Sequence, residues 1–152
     1  MKISIYSIEK SVSKEIKTVS DEFLKMSSKF AKIEDFSIFN NQIATAQTIS
    51  TNEAKSSYTK AYEPYFRDFT IALDVGGEVV DSYEFSNILK DRSSVKFFIG
   101  GAYGFEDGFL KKCNKVISLS SLTFAHKIAK LVLLEQIYRA LCIQNNHPYH
   151  KN

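Results

Sequence analysis

The run Val95-Lys96-Phe97-Phe98-Ile99-Gly100-Gly101-Ala102-Tyr103-Gly104 decides how this chain folds. Its first five residues are almost continuously apolar, as expected of a central strand covered on both faces. The glycines behind it make a tight loop, where the backbone can take unusual angles and a ligand can approach closely. An ordinary strand-to-helix turn is the competing reading of that loop. A dinucleotide fingerprint fits poorly, because it belongs in the first strand-to-helix turn with an acid about 20 residues on, and here the glycines follow the fourth expected strand.

Working outward, strands and helices alternate. Lys2 to Ile8 reads as a strand with Ile3 and Ile5 on one face. A helix follows from Val12, with Ile16, Val19, Phe23, Met26 and Phe30 at helical spacing and expected to pack on a sheet. Phe36 and Ile38 give a short second strand. Asn40 to Tyr62 reads as one helix carrying Tyr58, Tyr62 and Tyr65 on a face, ended by Pro64. Phe69 to Val75 is a third strand, closed by Gly76-Gly77, and Tyr83 to Lys90 a helix. After the glycine loop come a short helix from Glu106 to Cys113, the strand Val116-Ile117, a loop from Ser118 to Thr123 and a long helix from Phe124 to Gln144. This order predicts an α/β fold, a mostly parallel sheet flanked by helices, in one domain spanning residues 1–152.

Composition bounds the function. The net charge is +3, equally compatible with an ordinary surface and with a modest RNA-binding one. Cys113 and Cys142 stand in apolar stretches, outside any metal-binding spacing, so no metal and a reduced, cytoplasmic setting are expected. The first residues lack the apolar core of a signal peptide. No apolar run approaches the roughly 18 residues of a membrane span.

The second informative loop is Leu119-Ser120-Ser121-Leu122-Thr123-Phe124, leading into Ala125-His126-Lys127. Its hydroxyls suit a helix cap. Alternatively, its backbone faces a ligand lodged beside Gly100, reading an adenine edge while apolar side chains sandwich the ring.

The series of glycine loop, short helix, short strand, hydroxyl loop and long helix resembles the C-terminal half of SPOUT methyltransferases. With Glu135-Gln136-Ile137-Tyr138-Arg139-Ala140 and Asn146-His147-Pro148-Tyr149-His150-Lys151, the whole chain resembles the ribosomal RNA large subunit methyltransferase H family. Two positions depart from its pattern: Ala125 stands where proline is common, and Glu9 where glycine is usual, the latter with no clear consequence for the site.

The resemblance implies a SPOUT α/β knot, with a C-terminal trefoil knot enclosing the cofactor, against the general rarity of knots. It implies S-adenosyl-L-methionine held by Leu73, Gly100, Leu119, Ser120, Ser121, Leu122, Thr123 and Phe124. It further implies a homodimer that methylates N3 of a pseudouridine in 23S ribosomal RNA within the ribosome. On the last helix, Phe124, Ile128, Leu131, Tyr138 and Cys142 form one apolar face, and Leu133, Leu134, Ile137 and Leu141 another. That pattern suits either a two-fold interface or a fully internal helix.

Three residues are expected at the reacting base. His150 would accept the N3 proton or steer a water that does. Arg139 would hold a phosphate or stabilise charge on a base carbonyl. Tyr149 would stack on or hydrogen-bond the target base. Their plainer alternatives are a solvated His150, an Arg139 paired with Glu135 one turn earlier, and a Tyr149 covering apolar surface. His126 has a structural reading beside a direct one, and His147 a weaker claim. Two rival functions remain: a nucleotide- or RNA-binding module without transfer, and a SPOUT enzyme acting on another RNA such as transfer RNA.

Overall fold

A computed structural model describes residues 1–151. Five strands form one parallel sheet in the order β2-β1-β4-β3-β5: β1 (Lys2–Ile8), β2 (Lys32–Ile38), β3 (Phe69–Val79), β4 (Ser94–Ile99) and β5 (Lys115–Ser118). β4 lies at the centre, and its alternating side chains explain the continuous apolar run. Val95, Phe97 and Ile99 enter one core with Ile3, Ile5, Ile71 and Leu73. Phe98 enters the other with Tyr6 and Ala72.

Helices cover both faces. α1 (Lys14–Ser27), α4 (Ser82–Leu89) and α6 (His126–Gln144) lie over the first core, and α6 packs against both of the others. α2 (Asn41–Ile49), α3 (Thr51–Tyr62) and α5 (Asp107–Lys112) lie over the second. Among the described residues, no helix is long and apolar enough to cross a membrane, and no cluster of side chains could hold a metal. Both cysteines are free, and burial pushes the Cys113 thiol up to about 11.

Several elements differ from the sequence reading. The expected helix over Asn40 to Tyr62 is two helices. Ser50 is fully extended (φ −165°, ψ 166°), ends α2, and caps α3 by accepting from the Glu53 amide at 3.0 Å. β2 begins at Lys32, because residues 32–38 pair in register with β1. On α1, Val19 and Met26 are exposed, and the buried side is marked by Ser20 and Ser27 with Phe23 and Leu24 half-buried. Phe23 and Phe30 pack against the first core as their spacing predicts, while Val19 and Met26, at the edge of that stripe, stay outside the contact of α1 with α6.

β3 does not stop at Gly76-Gly77. A bulge between Leu73 and Glu78 shifts its register on β5, and pairing then resumes at Glu78 and Val79. Gly77 makes this possible: a Cβ there would sit 2.7 Å from the Val116 carbonyl oxygen. Glu9, given no clear role from sequence, is buried at the end of β1. There its Oε1 accepts from Lys130 Nζ at 2.7 Å, and Lys130 also pairs with Asp35 Oδ1 at 2.8 Å.

Candidate active site

A cavity of about 440 Å³ opens at the carboxyl edge of β3, β4 and β5. Ligands in open parallel sheets bind at this edge. One wall is the glycine loop: Gly100 and Gly101 leave β4, and Gly104, at φ +80°, closes a turn by donating its amide to the Gly101 carbonyl at 3.1 Å. The other wall is the loop behind β5. Leu73, Leu119, Ser120, Leu122, Thr123 and Phe124 line the cavity with Gly100. Ser121 is exposed and is not among the lining residues.

The hydroxyls of the second loop do not cap α6. Its N-cap is Ala125, with no side-chain bond. Instead they hold the loop: Ser118 Oγ donates to the Ser120 carbonyl (2.8 Å), and Ser120 Oγ accepts from the Leu122 amide (3.0 Å). The first turn of α6 is thereby left open at the cavity, with His126 and Ala129 in its wall.

Sequence reasoning missed the bulge residues Asp74 and Val75, which line the cavity because β3 bends away there. Nothing local marks that bend, since its cause is the pairing with β5. It also missed two tyrosines behind the glycine loop. The ring of Tyr58 lies where a Cβ on Gly101 would fall, its Cζ 2.6 Å from that point. The hydroxyl of Tyr62 donates to the Ile99 carbonyl at 2.5 Å, with the Tyr6 carbonyl at 3.2 Å. Burial pushes the Tyr62 hydroxyl well above its ordinary range, so it stays a donor. Tyr62→Phe removes that donor from a buried carbonyl next to Gly100. A loss of about 1–3 kcal/mol is expected, read as a lower urea midpoint with an unchanged slope.

The three tail residues gather elsewhere. Glu135 binds Arg139 through Nε at 3.0 Å and also through Nη2, and accepts from the Tyr149 hydroxyl at 2.9 Å. Arg139 Nη1 lies 3.1 Å from His150 Nδ1, and its guanidinium lies over the Tyr149 ring at 4.8 Å. His150 meets the Tyr83 ring edge-on at 4.9 Å. Arg139, Tyr149 and His150 are not lining residues of their own chain's cavity. His147 packs on Phe30 and Tyr138, a structural placement.

Of the α6 face formed by Phe124, Ile128, Leu131, Tyr138 and Cys142, two residues are internal: Tyr138 is 4% exposed and Cys142 fully buried. Of that face Ile128 remains open, at 41% exposure.

Residues 1–150 match the family described as "Predicted SPOUT methyltransferase". The chain belongs to the SPOUT methyltransferase family. It is 56% identical over 151 residues to "Ribosomal RNA large subunit methyltransferase H" of Aliarcobacter butzleri (strain RM4018), covering 99% of this chain and all of that protein. It is 50% identical, with the same coverage, to the protein of that name from Campylobacter concisus (strain 13826). Among solved structures, a "probable methylase family protein" from Haemophilus influenzae Rd KW20 shares the fold. Its TM-score is 0.58 at 15% identity, over 99% of this chain and 70% of that one.

Proposed function

We propose that this chain is a cytoplasmic methyltransferase that moves the methyl group of S-adenosylmethionine to N3 of a pseudouridine in 23S ribosomal RNA, on the assembled ribosome. The observation that carries this reading is the cavity built from the Gly100 loop and the Leu119–Phe124 loop, in a chain whose full-length relatives bear the name of a ribosomal RNA methyltransferase. The cavity is mainly apolar, with backbone groups on both walls, which suits an adenine ring. Asp74 puts a carboxylate in the lining, which complements the positive charge of the donor. In this reading the C-terminal segment threads a trefoil knot around the donor.

The active unit is a homodimer. Val75 and Leu122, in the lining of the cavity, are 55% and 73% exposed, and Ile128, between the lining residues His126 and Ala129 of α6, is 41% exposed, which gives the cavity an apolar rim. Such a rim marks an interaction surface, and a two-fold axis uses the same patch on both copies. The tail of one copy would then reach the cavity of the other and supply Arg139, Tyr149 and His150 to the base. Positioning carries much of the catalysis, and in favourable cases it removes roughly 7–11 kcal/mol of a barrier.

Incubation with methyl-labelled donor and free ribosomal RNA, isolated subunits or whole ribosomes tests the reading. Label should enter one uracil-type base of the large-subunit RNA, most efficiently in whole ribosomes. Label in transfer RNA alone, or in no RNA, sinks it.

A further inference from the structure

We infer that His150 serves the transfer as a hydrogen-bond donor through Nε2 rather than as the acceptor of the N3 proton. This rests on the reading above, in which the tail meets the target base. The geometry is local to one chain. Glu135 occupies Nε and Nη2 of Arg139, and Nη1 is turned to His150 Nδ1 at 3.1 Å. A guanidinium offers only N–H donors and keeps its proton in proteins. The bond from Glu135 raises the Arg139 pKa further.

At that contact Nδ1 must therefore supply the lone pair. A neutral imidazole with its lone pair on Nδ1 carries its proton on Nε2. Among the described residues, Nε2 has no hydrogen-bond partner. The nitrogen left to face a substrate is thus a donor. For His150 to take a proton on Nδ1, the Arg139 contact would have to break first.

A donor is what the chemistry at N3 can use. The N–H proton leaves to solvent water, and its electron pair spreads over the two ring carbonyl oxygens beside N3. That nitrogen then forms the bond to the methyl carbon as the carbon–sulfur bond breaks, and sulfur keeps the pair as a neutral thioether. Donors aimed at a carbonyl oxygen stabilise the anion as it forms. His150 Nε2–H is such a donor, and Glu135 is a positioning residue that fixes it through Arg139.

Three variants, assayed for methyl transfer on ribosomes, separate the possibilities. His150→Gln keeps an N–H near the place of Nε2, His150→Glu supplies only an acceptor at neutral pH, and His150→Ala supplies neither. The inference expects His150→Gln within about 10-fold of the native rate, and His150→Glu and His150→Ala down by about 100-fold or more, the usual effect of losing one such donor. Donor affinity and melting temperature, measured on each variant, separate a loss in the transfer step from a loss of binding or of the contacts that His150 makes with Arg139 and Tyr83. A His150→Glu variant faster than His150→Gln overturns the inference and restores the base. Equal losses in all three also overturn it, since the N–H would then be irrelevant. Native rates in all three remove His150 from the site, and with it the reading of the tail.

Discussion

Gly100→Val should abolish binding of S-adenosylmethionine while leaving a folded protein. Among the glycines only Gly104 has a positive φ, so the backbone at position 100 does not require glycine. Space does. A Cβ at Gly100 would lie 3.3 Å from Gly104 Cα and 3.3 Å from the Phe105 ring, and the remaining methyls of valine would have to enter the cavity or crowd that turn. Overpacking of this kind costs about 1–3 kcal/mol, which a domain with the usual 5–15 kcal/mol of stability survives. Affinity should fall by at least about 100-fold, or about 2.7 kcal/mol. Calorimetric titration with the donor measures the fall, and circular dichroism checks the fold. Gly104→Ala is a useful contrast, because its Cβ meets nothing within 4 Å yet its backbone is strained for any L side chain. It should weaken binding only by deforming the turn.

Lys130→Met should be the most destabilising single change on the sheet side of α6. Lys130 is 5% exposed and its ammonium meets Glu9 (2.7 Å), Asp35 (2.8 Å), Ser7 (3.0 Å) and Ser37 (3.3 Å). Removing the cation strands two carboxylates, and an uncompensated buried charge costs about 3–5 kcal/mol. For a chain of this size that lowers the melting temperature by on the order of 10 °C. Acid should relieve the defect. Burial is the largest influence on Asp35 and raises its pKa, while Lys130 pulls it down. A folded-state pKa above the unfolded one means that the group's stabilising contribution is complete below the unfolded pKa and is lost as pH rises through the folded one. Without Lys130 the Asp35 pKa rises further, so the gap between variant and native should be widest near pH 7 and shrink towards pH 5. A gap independent of pH would show that the charge is not what matters.

This cluster also shows where reading the sequence ended. Its members sit on β1, β2 and α6, and Lys130 and Glu9 are 121 residues apart. No spacing rule joins them. The β3 bulge was hidden for the same reason, since Gly76-Gly77 looks like a terminator until β5 lies beside it. The break at Ser50 was legible, because Ser50-Thr51-Asn52-Glu53 is the pattern of a helix start. The face of α1 was legible at Phe23 and Phe30 but not at its edge, where the contact with α6 takes in Ser20 and Ser27 and leaves Val19 and Met26 outside. At the site, β4 and its glycines were plain because the two cores need Val95, Phe97, Phe98 and Ile99 apolar. The loop behind β5 could be placed by its order along the chain. Its hydroxyls suited a helix cap in the sequence, and the fold uses those of Ser118 and Ser120 to brace the loop instead. The pairing of Arg139 with Glu135 followed from their four-residue separation on one helix. What the sequence could not reveal was that the same carboxylate also holds Tyr149.

The central claim is that one cavity, walled by the Gly100 loop and the Leu119–Phe124 loop, receives the methyl donor. A crystal structure of the protein with S-adenosylhomocysteine tests it most directly. The adenine should lie between these two segments, with Leu73 beneath it and backbone groups of both loops within hydrogen-bond reach. Density for the ligand at any other place, or a cavity still empty at saturating ligand, would contradict the account.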